Sequence, residues 1–128
     1  MKILLDTCTF LWILLDAPEL SESARALVMD PDNEIFLSAV SDWEIALKWS
    51  LGRLPFPDEP SKYVPAQRNK HGISSLALDE ESALHVIRLP EFHRDPFDRM
   101  LVSQALVHGL VILTPDRLVS QYPARVTW

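Results

Sequence analysis

The chain has 128 residues, of which 48% are hydrophobic, so it is long and apolar enough for one compact domain at residues 1–128 and too short for two. Its formal net charge of −6 argues against a protein that holds nucleic acid through bulk positive potential. It does not exclude a nuclease whose acidic residues converge on a cation.

The apolar run FLWILL, residues 10–15, is too short to span a bilayer and follows an aspartate rather than the basic flank of a signal peptide. The single cysteine, Cys8, has no partner for an internal disulfide and no neighbours at zinc-ligand spacing. We therefore expect a soluble, cytoplasmic protein with no membrane partner, in which Cys8 is a small buried packing residue.

The first half of the chain predicts strands and helices in alternation. Apolar runs predict strands at residues 2–6 and 34–39, and helical spacing predicts helices at 9–16, 21–30 and 41–52. Ser21 is a suitable cap for the second of these helices, and Gly52 suits the end of the third. Residues 53–60 contain three of the ten prolines and predict a loop.

The second half continues the alternation. Helices are predicted at residues 61–72, with an interruption or shift at Pro65, at 80–90 and at 97–109. Strands are predicted at residues 74–79, 111–114 and 124–128, with a short helical turn at 116–122. This order predicts an α/β fold with a mostly parallel central sheet covered by helices on both faces.

Four acidic residues fall where an apolar strand gives way to a helix: Asp6, Glu44, Asp98 and Asp116. In a parallel α/β sheet such positions gather at one edge, so carboxylates remote in sequence can meet in one pocket. Oxygen ligands without a histidine or cysteine cluster suit magnesium or manganese better than zinc. The sequence therefore predicts a Mg²⁺ or Mn²⁺ site.

Three of these acids also have local explanations. Asp6 can cap the helix that follows it, and Asp116 can serve as a turn or cap residue. Ser41 and Glu44 have the spacing of a capping box, in which each side chain satisfies a backbone donor of the other. Caps explain each acid separately but give no reason for four acids to share one sheet edge.

The segment around Asp98 separates capping from binding more clearly. Asp95 precedes Pro96, and proline is favoured as the first helical residue, so Asp95 is the natural N-cap. Asp98 then lies in the first turn and is free to face the pocket. We expect Asp98 to be the ligand and Asp95 to be its structural support.

Three segments carry a family resemblance over nearly the whole chain. They are LLDTCTFLW (4–12), SAVSDWEIALKWSLGRL (38–54) and HRDPFDRMLVSQALVHGLVILTPD (93–116). In this order they resemble PIN-domain proteins, in particular VapC-type toxins of toxin–antitoxin pairs. The resemblance implies a three-layer α/β sandwich and a Mg²⁺- or Mn²⁺-dependent endoribonuclease whose quartet is Asp6, Glu44, Asp98 and Asp116. It also implies a homodimer contact and a groove for an apolar segment of a cognate antitoxin.

For such a site we expect Asp6 and Asp98 to hold the cation, which would activate water for attack on an RNA phosphodiester. Glu44 and Asp116 remain open as second-ion ligands, outer-sphere ligands or the base. Supporting roles are predicted for Thr7 and Thr114 in orienting a carboxylate or water, and for Arg99 in clamping phosphate or neutralising the acids. The basic residues near the site are His93, Arg94, Arg99 and Arg117. A PIN-like module that binds RNA or protein without cutting is the alternative.

The tryptophans allow two interpretations. Trp12, Trp43 and Trp49 lie on predicted helices beside leucine and isoleucine, where core packing is the default expectation. In WEIALKWSLGRL, however, the apolar residues do not share one helical face, so part of the set is expected to be exposed unless another chain covers it.

Overall fold

The computed structural model describes residues 1–128, and its central layer is a five-stranded sheet in the order β3-β2-β1-β4-β5 with every strand pair parallel. The strands are β1 (Lys2–Leu5), β2 (Glu34–Ser38), β3 (Ser74–Leu76), β4 (Val111–Leu113) and β5 (Arg125–Thr127). The predicted parallel sheet is confirmed. Because β1 lies at the centre, the chain that leaves it is flanked by the ends of β2 and β4.

Seven helices connect these strands: α1 (Thr7–Leu15), α2 (Glu22–Met29), α3 (Ala39–Ser50), α4 (Pro60–Lys70), α5 (Glu80–His85), α6 (Pro96–His108) and α7 (Arg117–Ser120). A 3-10 turn at Val86–Arg88 follows α5, so the α-helix predicted over 80–90 is shorter than expected. Pro65 does not interrupt α4. It lies in the second turn, inside the helix, where it removes one backbone donor.

Apolar side chains alternate along β1 and so build a core on each face of the sheet. Ile3 and Leu5 point to the face that packs with Phe10 of α1. Leu4 points to the other face, where it packs with Leu101 and Val102 of α6. The predicted three-layer sandwich, with helices on both sides of the sheet, is therefore confirmed.

Cys8 is exposed, so the prediction of a buried packing residue was wrong. Its neighbours Thr7 and Thr9 on α1 are buried because each hydroxyl has a partner inside the protein: Ser41 Oγ for Thr7 and the Leu113 carbonyl for Thr9. With those positions facing inward, helical geometry turns Cys8 outward.

Two of the three helical tryptophans are also exposed, Trp43 at 61% and Trp49 at 39% of their surface. Core packing was therefore the wrong interpretation for them, whereas Trp12 packs against the core and edge-on to Trp128 at 5.7 Å. None of the helices has the length and apolar character that a bilayer crossing requires.

Candidate functional site

Asp6 is the first residue after β1 and the N-cap of α1. Its Oδ1 accepts the backbone N–H of Thr9 at 2.7 Å, and its Oδ2 accepts the hydroxyl of Thr114 from the end of β4. The cap interpretation of Asp6 is therefore correct as far as Oδ1 is concerned. Burial of the side chain and the bond to Thr114 show that this aspartate also joins the end of β1 to the end of β4.

Thr114 joins two of the predicted acids. While donating to Asp6, its Oγ1 accepts the backbone N–H of Asp116 at 3.1 Å. Asp116 caps α7, because its Oδ1 accepts the N–H of Leu118 at 2.8 Å. The chain after β4 is thereby turned so that Asp116 lies beside Asp6.

Glu44 lies on α3 and is buried. The N-cap of α3 is Ser38, whereas Ser41 is inside the helix and accepts the hydroxyl of Thr7 at 3.0 Å, so the capping-box interpretation was wrong. Instead, Glu44 Oε2 accepts Lys48 Nζ at 2.7 Å. Glu44 Oε1 is buried and has no hydrogen-bond partner. A buried carboxylate oxygen without a partner is unfavourable, and a ligand bound there would relieve that cost.

The segment before α6 has the predicted division between cap and pocket. Asp95 Oδ1 accepts the N–H groups of Phe97 and Asp98 at 2.9 and 3.3 Å and so caps α6. Asp98 does not cap the helix, and its Oδ2 lies 2.9 Å from His93 Nε2. The prediction that Asp95 is the cap is confirmed.

The sequence places His93 only among the basic residues near the site, whereas in the structure it is part of the acidic cluster. One ligand atom from each of His93, Asp98 and Asp116 lies within 4.8 Å of the other two. The signal in the sequence is the N-cap at Asp95. The cap turns the chain, so that the side chain of His93, two residues earlier, faces that of Asp98 in the first turn of α6.

The carboxylates are close enough to perturb one another. Burial, then the charge of Asp95, raises the pKa of Asp98 to about 6, with Asp6 adding to the rise and His93 opposing it. Burial also raises the pKa of Asp6, against the hydrogen bonds from Thr114 and Thr9, and the charge of Asp116 raises it further. Three of the predicted acids thus form one electrostatic cluster.

The charges of Glu44 and of this cluster act together on Cys8. Desolvation of the sulfur is the largest cause that raises the pKa of the Cys8 thiol to about 11, and the charges of Asp6, Glu44 and Asp98 all add to it. The thiol therefore lies near acids from three different elements. A pKa of about 11 keeps it protonated at neutral pH, so Cys8 is not a nucleophile there.

Arg99 is directed away from the carboxylates. Its guanidinium donates to the carbonyls of Pro90 and Val86 and to the hydroxyl of Tyr122. These bonds hold residues 86–93 against α6. A phosphate-binding role for Arg99 stays a prediction.

The donor set fits a divalent cation such as Mg²⁺ or Mn²⁺. The four acids supply only oxygen atoms, one of which is buried without a partner, and the repulsion of Asp6 by Asp98 and by Asp116 is the kind that a cation relieves. Asp6 and Asp98, with Asp116 beside them, are the residues that would hold it, with Glu44 on the α3 side.

Comparison with known protein families matches residues 3–124 to the PIN domain. The chain belongs to the PIN-domain family. Within 69 residues, this PIN domain is 41% identical to Ribonuclease VapC16 from Mycobacterium tuberculosis (strain ATCC 25618 / H37Rv). That match covers 54% of the chain and 49% of the relative, so it spans about half the length of each protein.

Solved structures share the fold over nearly the whole PIN domain. VapBC2 from Rickettsia felis, bound to a DNA fragment from its promoter, superimposes with a TM-score of 0.75 at 11% identity, covering 99% of this chain and 98% of that one. VapBC-1 from nontypeable Haemophilus influenzae gives 0.66 at 15% identity, and DNA-bound VapBC from Salmonella typhimurium gives 0.65 at 18%; both cover 99% of this chain and 97% of the other. At such low identity these similarities show the fold alone.

Proposed function

We propose that this PIN domain is a Mg²⁺- or Mn²⁺-dependent endoribonuclease that acts as the toxin of a toxin–antitoxin pair. The observation that carries the proposal is the electrostatic cluster of Asp6, Asp98 and Asp116. Glu44 of α3, with one buried and unpartnered oxygen, is the fourth acid of the proposed site. The partial identity to Ribonuclease VapC16 supports the choice of RNA as substrate.

The side chains would have different roles in such a site. When bound, the cation supplies the positive charge that activates water and stabilises charge developing on the phosphate. Asp6 is held in place by Thr9 and Thr114, and Thr114 also fixes the backbone of Asp116. Asp98 is kept near the other acids by the capped start of α6. Glu44 and Asp116 are the two candidates for accepting a proton from water.

The same proposal includes two protein partners. Trp43, Leu47, Trp49 and Leu51 leave an exposed apolar surface at α3 and its C-terminal end, which we name the α3 surface. An apolar surface of this kind suits a second copy of the chain or an apolar segment of an antitoxin. The solved VapBC complexes support the antitoxin as one partner.

The decisive experiment incubates the purified chain with RNA in Mn²⁺, in Mg²⁺ and in excess EDTA, beside an Asp6→Asn variant. We expect cleavage with either metal, none with EDTA and none with the variant. Binding of RNA without cleavage under all metal conditions would favour the alternative, a non-cleaving PIN-like module. Growth inhibition by the wild type but not by Asp6→Asn would support the toxin role.

A further inference from the structure

Residues 93–98 form a closed circuit of three hydrogen bonds. The N–H of Asp98 donates to Asp95 Oδ1 at 3.3 Å, and the N–H of Asp95 donates to His93 Nδ1 at 3.5 Å. His93 Nε2 then meets Asp98 Oδ2 at 2.9 Å and completes the circuit. The imidazole is therefore built into the start of α6 and is not a loose surface side chain.

The contact between the Asp95 N–H and Nδ1 is the observation that assigns a role to each ring nitrogen. Because Nδ1 accepts a backbone N–H, the neutral ring carries its proton on Nε2, and that Nε2–H donates to Asp98. A ring nitrogen that carries a proton has no lone pair for a cation. His93 in this arrangement is a donor to the carboxylate and not a metal ligand, despite its place among Asp98 and Asp116.

The backbone of His93 is fixed from outside the circuit. Its N–H donates to the Tyr122 hydroxyl at 3.0 Å, and that hydroxyl lies 3.5 Å from the His93 carbonyl. Arg99 in turn donates to the Tyr122 hydroxyl at 3.1 Å and to the Pro90 carbonyl at 2.8 Å. The Nε2–H donor is thus held at one place relative to α6.

We propose that His93 is a positioning residue for the cation site: its Nε2–H holds Asp98 Oδ2 and leaves Oδ1 for the cation. No donor of the protein bonds to Asp98 Oδ1. Glu44 has a similar arrangement, since Lys48 donates to its Oε2 while its Oε1 has no partner. Outer partners of this kind orient ligands and tune metal affinity. The inference rests on the proposed metal dependence.

The test measures Mn²⁺ affinity from the electron paramagnetic resonance signal of the free ion. His93→Leu removes the donor, and we expect its affinity to fall about 10- to 100-fold. His93→Gln places an amide N–H at a similar reach, and most of the affinity should return. His108→Leu is the matched control, since His108 bonds Asp79 at 2.7 Å away from the site, and its affinity should equal that of the wild type.

Where the wild type binds Mn²⁺, three results would overturn the proposal. Tighter Mn²⁺ binding by His93→Leu would make the imidazole a competitor of the cation. Equal loss in the Leu and Gln variants, with ¹⁴N coupling in the Mn²⁺ spectrum of the wild type, would make it a ligand. Unchanged Mn²⁺ affinity in the folded Leu variant would mean that the contact between His93 and Asp98 does not affect cation binding. If the wild type itself binds no Mn²⁺, the proposed metal dependence fails first and His93 has no cation site to position.

Discussion

Asp95 and Asp98 show how two aspartates three residues apart serve different purposes. The carboxylate of Asp95 is used by backbone N–H groups of α6, whereas that of Asp98 faces other carboxylates in a partly buried pocket. Removing the carboxylate of Asp95 should weaken the start of α6. Removing the charge of Asp98 should relieve its repulsion with the other acids and take away one proposed cation ligand.

We therefore expect Asp98→Asn to fold and to lose RNA cleavage. Asp95→Ala should lose about 1 kcal/mol of unfolding free energy, the usual effect of deleting an N-cap, and should lower cleavage only in part, because the helix start that positions Asp98 is loosened. Denaturant unfolding and cleavage with Mn²⁺ measure both properties on the same samples. A folded Asp98→Asn protein with full activity would remove Asp98 from the site.

The raised pKa of Asp98 predicts a pH dependence in metal-free protein. A pKa of about 6 in the folded state, above the ordinary 3.8, means that the folded protein binds the proton more tightly than the unfolded chain does. This contribution to stability is complete below pH 4 and is lost as the pH rises through 6. In EDTA, Asp98→Asn, which resembles the protonated form, should melt above the wild type at pH 7.5. That advantage should shrink at pH 5, and an equal advantage at both pH values would contradict the pKa assignment.

A cation should reverse the same repulsion. Mg²⁺ or Mn²⁺ binds the folded state only, so it should raise the melting temperature of the wild type, and more at pH 7.5 than at pH 5 because protons compete for Asp98. An Asp6→Asn/Asp98→Asn double variant should show little of this shift. If it responds as strongly as the wild type, the cation binds somewhere else.

At the scale of elements, the site depends on how α1 docks at the end of β4. Thr9 is fully buried in α1, and its hydroxyl donates to the Leu113 carbonyl at 2.9 Å. This contact lies directly beside the one between Asp6 and Thr114, so a single junction aligns the start of α1 with the residues that follow β4.

Thr9→Val keeps the shape of the side chain but leaves the Leu113 carbonyl without its hydroxyl donor. Loss of one partner of a buried hydrogen bond should lower the unfolding free energy by about 1–3 kcal/mol. Ser50→Ala is a suitable control, because it removes a similar hydroxyl-to-carbonyl bond at the surface and should change stability little. Equal effects in urea unfolding would argue against a special role for the junction.

These elements also show what could be predicted from sequence. Strand and helix order, the caps at Ser21 and Asp95 and the positions of the acids after strands follow from local periodicity and capping chemistry. Three features do not follow from local pattern: the start of α3 at Ser38, the exposure of Cys8 and the position of His93. They depend on contacts with residues distant along the chain or, for His93, with a residue that the cap of α6 turns toward it. Local patterns do not contain those contacts.

At the scale of the whole molecule, the α3 surface is an apolar feature left uncovered. Leu51 is 58% exposed, and Trp43 packs edge-on against Phe97 at 4.9 Å while most of its surface stays open. The segment has a polar margin at Lys48 and Arg53, an arrangement found at the rim of protein interfaces.

Replacing Leu51 or Trp49 by serine should weaken self-association or antitoxin binding by more than tenfold, since one buried apolar side chain contributes about 1.5–3 kcal/mol. Ile87→Ser is the matched control, because Ile87 is 83% exposed outside the α3 surface. Analytical ultracentrifugation and titration with the antitoxin give the two affinities. If both are unchanged in variants whose circular dichroism is native, the partner surface lies elsewhere.

The hydrogen bond from Thr114 to Asp6 spans 108 positions of the chain. During synthesis, the first aspartate of the quartet leaves the ribosome long before the threonine that orients it and before β4, which flanks its strand. The proposed cation site is therefore incomplete on a nascent polypeptide or on one that ends before Thr114. We expect a chain ending at residue 110 to bind no Mn²⁺. The proposed nuclease activity would therefore arise only after translation of this domain is nearly complete.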